Sequence, residues 1–332
     1  MKFLITARER GTAVWRGLIR HTRAAVGRTV AAYRRHPGSY LIFCFLLPFF
    51  LMGLIYALIG TWPFGTTSVL VLDLNGQYVY FFEALRDFVW GDASLLYSFS
   101  RSLGGEFLGI YAHYLASPLS YIVALFPADH ILEALFLMFI IKQGLCGLSF
   151  GYFLRKSTRL SPVTTVIFST VYSLTAYGVV MQHNTMWTDN VILLPLVALG
   201  LRLLVTERKY KLYTISLALA ILSNFYIGYM TCIFCVLYFF YLQIALSAEE
   251  KRTVPQRFPF LQSGARFGFF SLVAGAIGML IVIPAIYALS FGKDTFTNPT
   301  YEFVSKIDIF DVLTKFFFGV YDTVRPEGLP CL

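Results

Sequence analysis

Charge is what this chain has least of. Asp, Glu, Lys and Arg make up 14% of its 332 residues, against 57% hydrophobic and 17% aromatic, where an ordinary soluble domain carries about 25% charge. That balance excludes water as the main solvent. Disulfide chemistry has little to work with. Of five cysteines, Cys44, Cys146, Cys232 and Cys235 lie in apolar runs and Cys331 is next to last, which makes no disulfide framework. Cys232 and Cys235 lack the second pair that a metal or redox motif needs, and they read as core packing. Internal repeats and low-complexity tracts are missing too, which removes support for solenoids and disordered tails.

Lys and Arg total 27 against 18 Asp and Glu, a net charge of +9. Alone, that excess suits nucleic acid or an anionic membrane surface. Its placement decides against nucleic acid, because nine basic residues precede the first apolar run: Lys2, Arg8, Arg10, Arg16, Arg20, Arg23, Arg28, Arg34 and Arg35. Arg16, Arg20 and Arg23 recur at helical spacing, which suits an interfacial helix on anionic lipid and equally a basic tail that sets topology.

The run 39–60 is about long enough to cross a bilayer, too long for a signal-peptide core, and no small-residue cleavage site follows it. Further apolar segments at 131–154, 162–181, 191–205, 212–223, 227–245 and 267–290 bring the expectation to about seven spans. With the N-terminus cytoplasmic, every inner loop is basic: Arg155, Lys156 and Arg159; Arg208, Lys209 and Lys211; Lys251, Arg252, Arg257 and Arg266. The pair 212–223 and 227–245 reads as two spans or as one bent hairpin entering partway.

The sequence thus predicts an all-α, multi-pass cell-membrane protein in five parts. These are a basic cytoplasmic segment (1–38), a first span (39–60), a long extracytoplasmic loop (61–130), the remaining bundle (131–290) and an extracytoplasmic segment (291–332). In the long loop, residues 78–90 carry Glu83, Arg86 and Asp87 at helical intervals among aromatics, as an amphipathic helix on the membrane would. Residues 108–126 are apolar enough for a re-entrant segment. If they spanned instead, every later loop would change side.

Candidate chemistry gathers in three places. Asp73 is flanked by apolar residues and followed by Asn75, Gln77 and Tyr78. A carboxylate there suits a general base for an attacking hydroxyl, or simply a cap for the following helix. The stretch from His183 to Asn190 offers Trp187 and Asp189 as a binding group, a second acid or a cation ligand. Trp187 also reads as an interfacial anchor. Residues 224–230, with Asn224 and Tyr226, join aromatic and amide groups suited to a sugar, or form only a hairpin turn. Among cations, Lys142 sits inside a span, where an ionisable residue marks a functional site or pairs with another helix. Arg86 and Arg101 suit a phosphate or plain surface charge.

Five ordered stretches carry a family resemblance: Asp73 to Tyr78; Ser102, Leu103, Gly104 and Gly105; Trp187 to Asp189 with Leu193, Leu194 and Pro195; Asn224 to Met230; and Gly319, Val320, Tyr321 and Asp322. Together the chain resembles the bacterial YfhO-type membrane proteins from about Arg35 onward. The resemblance implies a GT-C-like glycosyltransferase that takes a sugar from a polyprenyl-phosphate carrier, with Asp73 matching the acidic residue of the first external loop. It implies a cell-wall polymer acceptor, lipoteichoic acid in the best-matching case, and a sugar such as N-acetylglucosamine. An undecaprenyl-phosphate sugar synthase and a lipid flippase are the implied partners, and a divalent cation is an open cofactor. Family members usually continue for several hundred residues more, so the chain reads as cut short. A lipid-linked saccharide transporter or flippase and a non-catalytic assembly protein are the competing functions.

Overall fold

The computed structural model describes residues 38–99, 104–248 and 259–290. The basic N-terminal segment, Arg101 with the Ser102 to Leu103 part of its motif, the loop basic residues Lys251, Arg252 and Arg257, and the 291–332 segment lie outside the described residues.

The chain is all-α and polytopic. Its helices are α1 (Leu41–Leu58), α2 (Val79–Trp90), α3 (Ile131–Ser157), α4 (Pro162–Ser173), α5 (Ala176–Val180), α6 (Thr185–Glu207), α7 (Lys211–Ser223), α8 (Phe225–Ala248) and α9 (Pro259–Ser290). A two-residue antiparallel ribbon pairs Tyr97 with Glu106 and Ser98 with Gly105. Local signals place the helix ends. Ser161 accepts from the Thr164 amide with Pro162 in the first turn of α4, and Thr175 accepts from the Gly178 amide at α5. Gly91, at φ 89°, stops α2 in a left-handed turn.

Among the described residues, five helices are long and apolar enough to cross a membrane, and they are not equally buried. In α3 and α6, 67% of the residues in the apolar window are inside the protein, against 22% in α1, 28% in α8 and 17% in α9. The cause is chemical: α3 and α6 carry the polar residues Lys142, Gln143, Asp189 and Asn190, which hydrocarbon would not solvate, so these two helices take the centre. Small residues let them approach their neighbours. A Cβ on Gly147 would strike the Cys44 carbonyl, and one on Gly200 the Tyr213 backbone. Pro195 in α6 has no N–H to give the Val191 carbonyl. The Tyr172 hydroxyl donates to that carbonyl instead, at 2.8 Å.

Contacts sort the helix ends into two sets. Arg202, late in α6, donates to the Ser157 carbonyl at the end of α3, and Gly38 lies against Arg155. At the other end, Lys142 reaches Thr185 at the start of α6, Asn224 at the end of α7 reaches His113, and Gly109 abuts Ala288 near the end of α9. Segments Leu108–Leu115 and Pro118–Leu125 meet at 101°. Both legs stay at that second end, where Trp90 donates to the Ala124 carbonyl and Ser117 to Asp189. The 108–126 stretch is thus a hairpin bent by 101°, a shape that either a re-entrant segment or a broken span takes.

Two expectations are refined. The 162–181 segment is broken between α4 and α5, bent by 51°. In the 212–245 pair, α8 has full length, while α7 with 13 residues is about 20 Å long, shorter than the roughly 30 Å hydrocarbon core. Helix α2 exists as expected, and its apolar stripe Val79, Phe82 and Leu85 is buried in protein, in a core shared with the bent hairpin and α3.

Candidate functional site

Asp73 stands at a backbone irregularity. Leu72, the residue before it, has φ 49°, a left-handed conformation that a branched, non-glycine residue adopts only at a cost of about 1–3 kcal/mol. The five residues after it, Leu74–Tyr78, form a π-helical turn, a geometry found mostly as single turns at functional sites. The wider π turn brings Tyr78 back under Asp73, and its hydroxyl lies 3.3 Å from Asp73 Oδ2. No side-chain cap forms, so the helix-cap role open to Asp73 is not the one it fills. Its carboxylate is exposed, as are Asn75 and Gln77.

Tyr78 is the hub of this corner. Its hydroxyl is also 3.3 Å from Asn184 Oδ1, and a single hydroxyl proton serves one acceptor or is shared between them. Asn184 in turn places Nδ2 3.0 Å from His183 Nε2, while His183 Nδ1 is 2.9 Å from the Val180 carbonyl. Only one tautomer satisfies both contacts: Nδ1 carries the proton and donates to the carbonyl, and Nε2 accepts from the amide. Tyr114 stacks at 5.0 Å on Tyr78, from a second π-helical turn, Tyr111–Leu115. Burial, then the charges of Asp73 and Tyr114, push the Tyr78 phenol well above its ordinary pKa. It therefore stays a donor to the carboxylate at any physiological pH.

Beside this corner lies a cavity of about 410 Å³. It sits between the strap 59–71, α3 and α5, and His183 forms part of its wall. The Asp73, Tyr78, Asn184, His183 chain therefore runs from an exposed carboxylate to the cavity wall. Chemically, such an arrangement can accept a proton from a hydroxyl presented at Asp73, since Tyr78 holds one carboxylate oxygen and the other has no protein partner among the described residues.

Lys142 and Asp189 form a second, separate cluster. Nζ is 2.8 Å from Asp189 Oδ2 and 2.7 Å from the Thr185 carbonyl, and the two side chains are 2% and 5% exposed. Ser117 donates to Asp189 Oδ1 at 2.8 Å. The pairing of Lys142 with an acidic residue and a carbonyl of another helix is thus realised. Asp189 is filled by two donors and does not converge with His183, which points to Val180 and Asn184, so the two residues are not arranged as a cation site. Among the described residues no three of His, Cys, Asp or Glu gather as metal ligands would.

The remaining candidates are spread out. Arg86 donates through Nε to the Phe126 carbonyl at 2.9 Å and pairs with Asp87 at 2.9 Å. Asn224 is fully buried, its Nδ2 on the His113 carbonyl and its Oδ1 accepting from the Ile227 amide, so it ties the hairpin to the start of α8. Tyr226 is 49% exposed. Trp187 lines a second groove of about 380 Å³ with Tyr172, Asn190 and Thr231, between α4, α6 and α8. Cys235 is buried in the core around α7.

Sequence reasoning missed Ser117 and Tyr114, gave Asn184 no specific task, and weighed His183 only as a metal ligand with Asp189. Ser117 carried one usable signal: Ser before Pro118 marks a helix start, and that places a hydroxyl at the bend. Nothing in the sequence pairs it with Asp189.

Against known proteins, the model for the family described as bacterial membrane protein YfhO matches residues 44–332. A Bacillus subtilis (strain 168) protein described as uncharacterized protein YfhO is 33% identical over 119 residues, covering 33% of this chain and 13% of that relative. The chain thus matches only a small part of the relative's length. No solved structure matches.

Proposed function

The chain belongs to the YfhO family of bacterial membrane proteins, and from that premise we propose that it is a multi-span glycosyltransferase with Asp73 as its general base. It moves a sugar from a polyprenyl-phosphate donor to a cell-envelope polymer of the teichoic-acid type. The observation that carries this reading is the Asp73 corner, an exposed carboxylate held by Tyr78 beside a cavity of sugar-sized volume.

In the reaction, an acceptor hydroxyl gives its proton to Asp73 as its oxygen bonds the anomeric carbon. The bond from that carbon to the phosphate breaks, and polyprenyl phosphate leaves with the electron pair. The leaving phosphate needs a cation. Lys142 is spent on Asp189 and Thr185, so Arg86 is the better choice. Its two bonds leave three of five guanidinium donors for phosphate oxygens. The groove beside Trp187, lined in part by Val191, Leu194 and Phe234, suits the isoprenoid chain of the donor. In this reading the Asp73 end faces outward and the basic ends of α3 and α6 face the cytoplasm. A donor-forming sugar synthase and a flippase supply the substrate.

A transporter of lipid-linked saccharide is the second reading, favoured by the buried Lys142–Asp189 pair, since intramembrane charges often line transport paths. Membranes containing the protein from its complete gene, given labelled polyprenyl-phosphate sugar, separate the two. Label in polymer that disappears in Asp73→Asn, with the variant still inserted, supports transfer. Label that only changes leaflet supports transport.

A further inference from the structure

Asn184 occupies the N-cap position of α6 and does not cap it with its side chain, although an asparagine there usually accepts from the helix amides. The side chain is turned elsewhere, and His183 decides which way its amide faces. With Nδ1–H given to the Val180 carbonyl, His183 Nε2 can only accept, so Asn184 presents Nδ2 to it and Oδ1 to Tyr78.

The Tyr78 hydroxyl lies 3.3 Å from Asp73 Oδ2 and 3.3 Å from Asn184 Oδ1, longer than the roughly 2.7–2.8 Å of a committed O–H···O bond. Two acceptors therefore compete for one proton at equal range. Asn184 is buried, and among the described residues Tyr78 is the donor that reaches its Oδ1. Whenever that proton points to Asp73, the amide oxygen is left bare. Charge decides which acceptor wins. A carboxylate outcompetes an amide oxygen, and an amide oxygen outcompetes the carbonyl of a neutral carboxylic acid.

We propose that Asn184 is a positioning residue for Asp73, the alternative acceptor to which Tyr78 turns when Asp73 takes up the proton of the attacking hydroxyl. The proposal rests on the sugar-transfer reading above. In the step, the O–H bond of the attacking hydroxyl breaks and its proton bonds the Asp73 oxygen that Tyr78 does not hold. The Tyr78 proton stays on its own oxygen, and only the bond it donates changes partner, from Asp73 to Asn184. Neutralising Asp73 forfeits the strong bond from Tyr78, and the bond gained at Asn184 offsets that loss. Without Asn184, the same hydroxyl would only hold Asp73 in its charged form and so oppose the proton transfer.

The test uses the protein from its complete gene in lipid nanodiscs and solid-state NMR of asparagine labelled at the side-chain carbonyl, with the Asn184 signal identified by its loss in Asn184→Asp. Asp73→Leu, a change at an exposed position, removes the carboxylate and leaves Tyr78 only Asn184 to donate to. The Asn184 carbonyl signal should then move to lower field, and Asp73→Leu should leave it unmoved when made in Tyr78→Phe. A signal that stays put in Asp73→Leu, or that moves as far without the Tyr78 hydroxyl, overturns the proposal. In transfer assays Asn184→Leu should lower kcat about three- to tenfold, with KM for the donor held within about twofold. The same change made in Tyr78→Phe should cost nothing further, since both act through one hydroxyl. Additive losses would mean that Asn184 serves the fold rather than Asp73, and would overturn the proposal as well. Transfer that persists in Asp73→Asn while the Asn184 signal responds would sink the enzymatic reading alone, because that signal is read without turnover.

Discussion

At the scale of single residues, Tyr78 and Asp189 do the most with the fewest atoms. Tyr78 joins the carboxylate of Asp73 to the amide of Asn184 through one hydroxyl. Tyr78→Phe should cost about 1 kcal/mol of stability, and should lower transfer by more than that, because Asp73 loses the group that orients it. Paired melting curves and transfer rates would separate the two. The phenol's raised pKa fixes a sign as well. Above the ordinary tyrosine value the folded protein holds a proton that the unfolded chain has released, so stability falls as pH rises past that value and is untouched below it. Thermal denaturation across alkaline pH should show the decline in the native protein and a smaller one in Tyr78→Phe. Lys142 and Asp189 show the opposite economy. Lys142→Met leaves a carboxylate buried and uncompensated, a loss of about 3–5 kcal/mol, whereas the double change Lys142→Met with Asp189→Leu should recover much of it. Equal melting temperatures for the single and double variants would contradict the pairing. Asp73 was legible as a candidate because a carboxylate between apolar runs is conspicuous. Its partner Tyr78 was named beside it, but the residues that hold Tyr78 in turn, Asn184 and Tyr114, reach it only through folding.

Among elements, the bent hairpin 108–125 decides how the site is built. Three polar tethers hold it: Ser117 to Asp189, which is buried, and the partly buried bonds from Asn224 to the His113 carbonyl and from Arg86 to the Phe126 carbonyl at its end. Asn224→Leu removes one tether and the cap on α8 together, so amide exchange in the hairpin should rise while that in α3 stays slow. Rates unchanged in the hairpin would mean that the tether is incidental. Hydropathy located the long helices, because a window of apolar residues is a local property. The break between α4 and α5 escaped it, because Thr175 as a cap reads no differently from any threonine in an apolar run. The amphipathic stripe of α2 was legible too, but what it faces was not, since lipid and a protein hairpin select the same apolar residues.

For the whole molecule, the helix ends fall into one set with Asp73 and another with the basic residues of α3 and α6, and the proposed orientation, with basic loops cytoplasmic, is open to a direct test. With Cys331 replaced by Ser, Asn75→Cys should react with a membrane-impermeant maleimide on intact cells, and Lys209→Cys only after permeabilisation. The reverse pattern would invert the topology and put the site on the cytoplasmic face. Close helix contact is the other global condition. Gly147→Leu would drive α3 away from α1, an overpacking penalty of about 1–3 kcal/mol, seen as lower yield of folded protein in detergent.

The most direct measurement is the rate of sugar transfer by reconstituted protein from its complete gene, wild type against Asp73→Asn, with donor binding measured on the same samples. General-base catalysis contributes about 100- to 10,000-fold. The account predicts a fall of at least about 100-fold with donor binding retained. A variant that transfers sugar within about twofold of wild type would contradict Asp73 as the base.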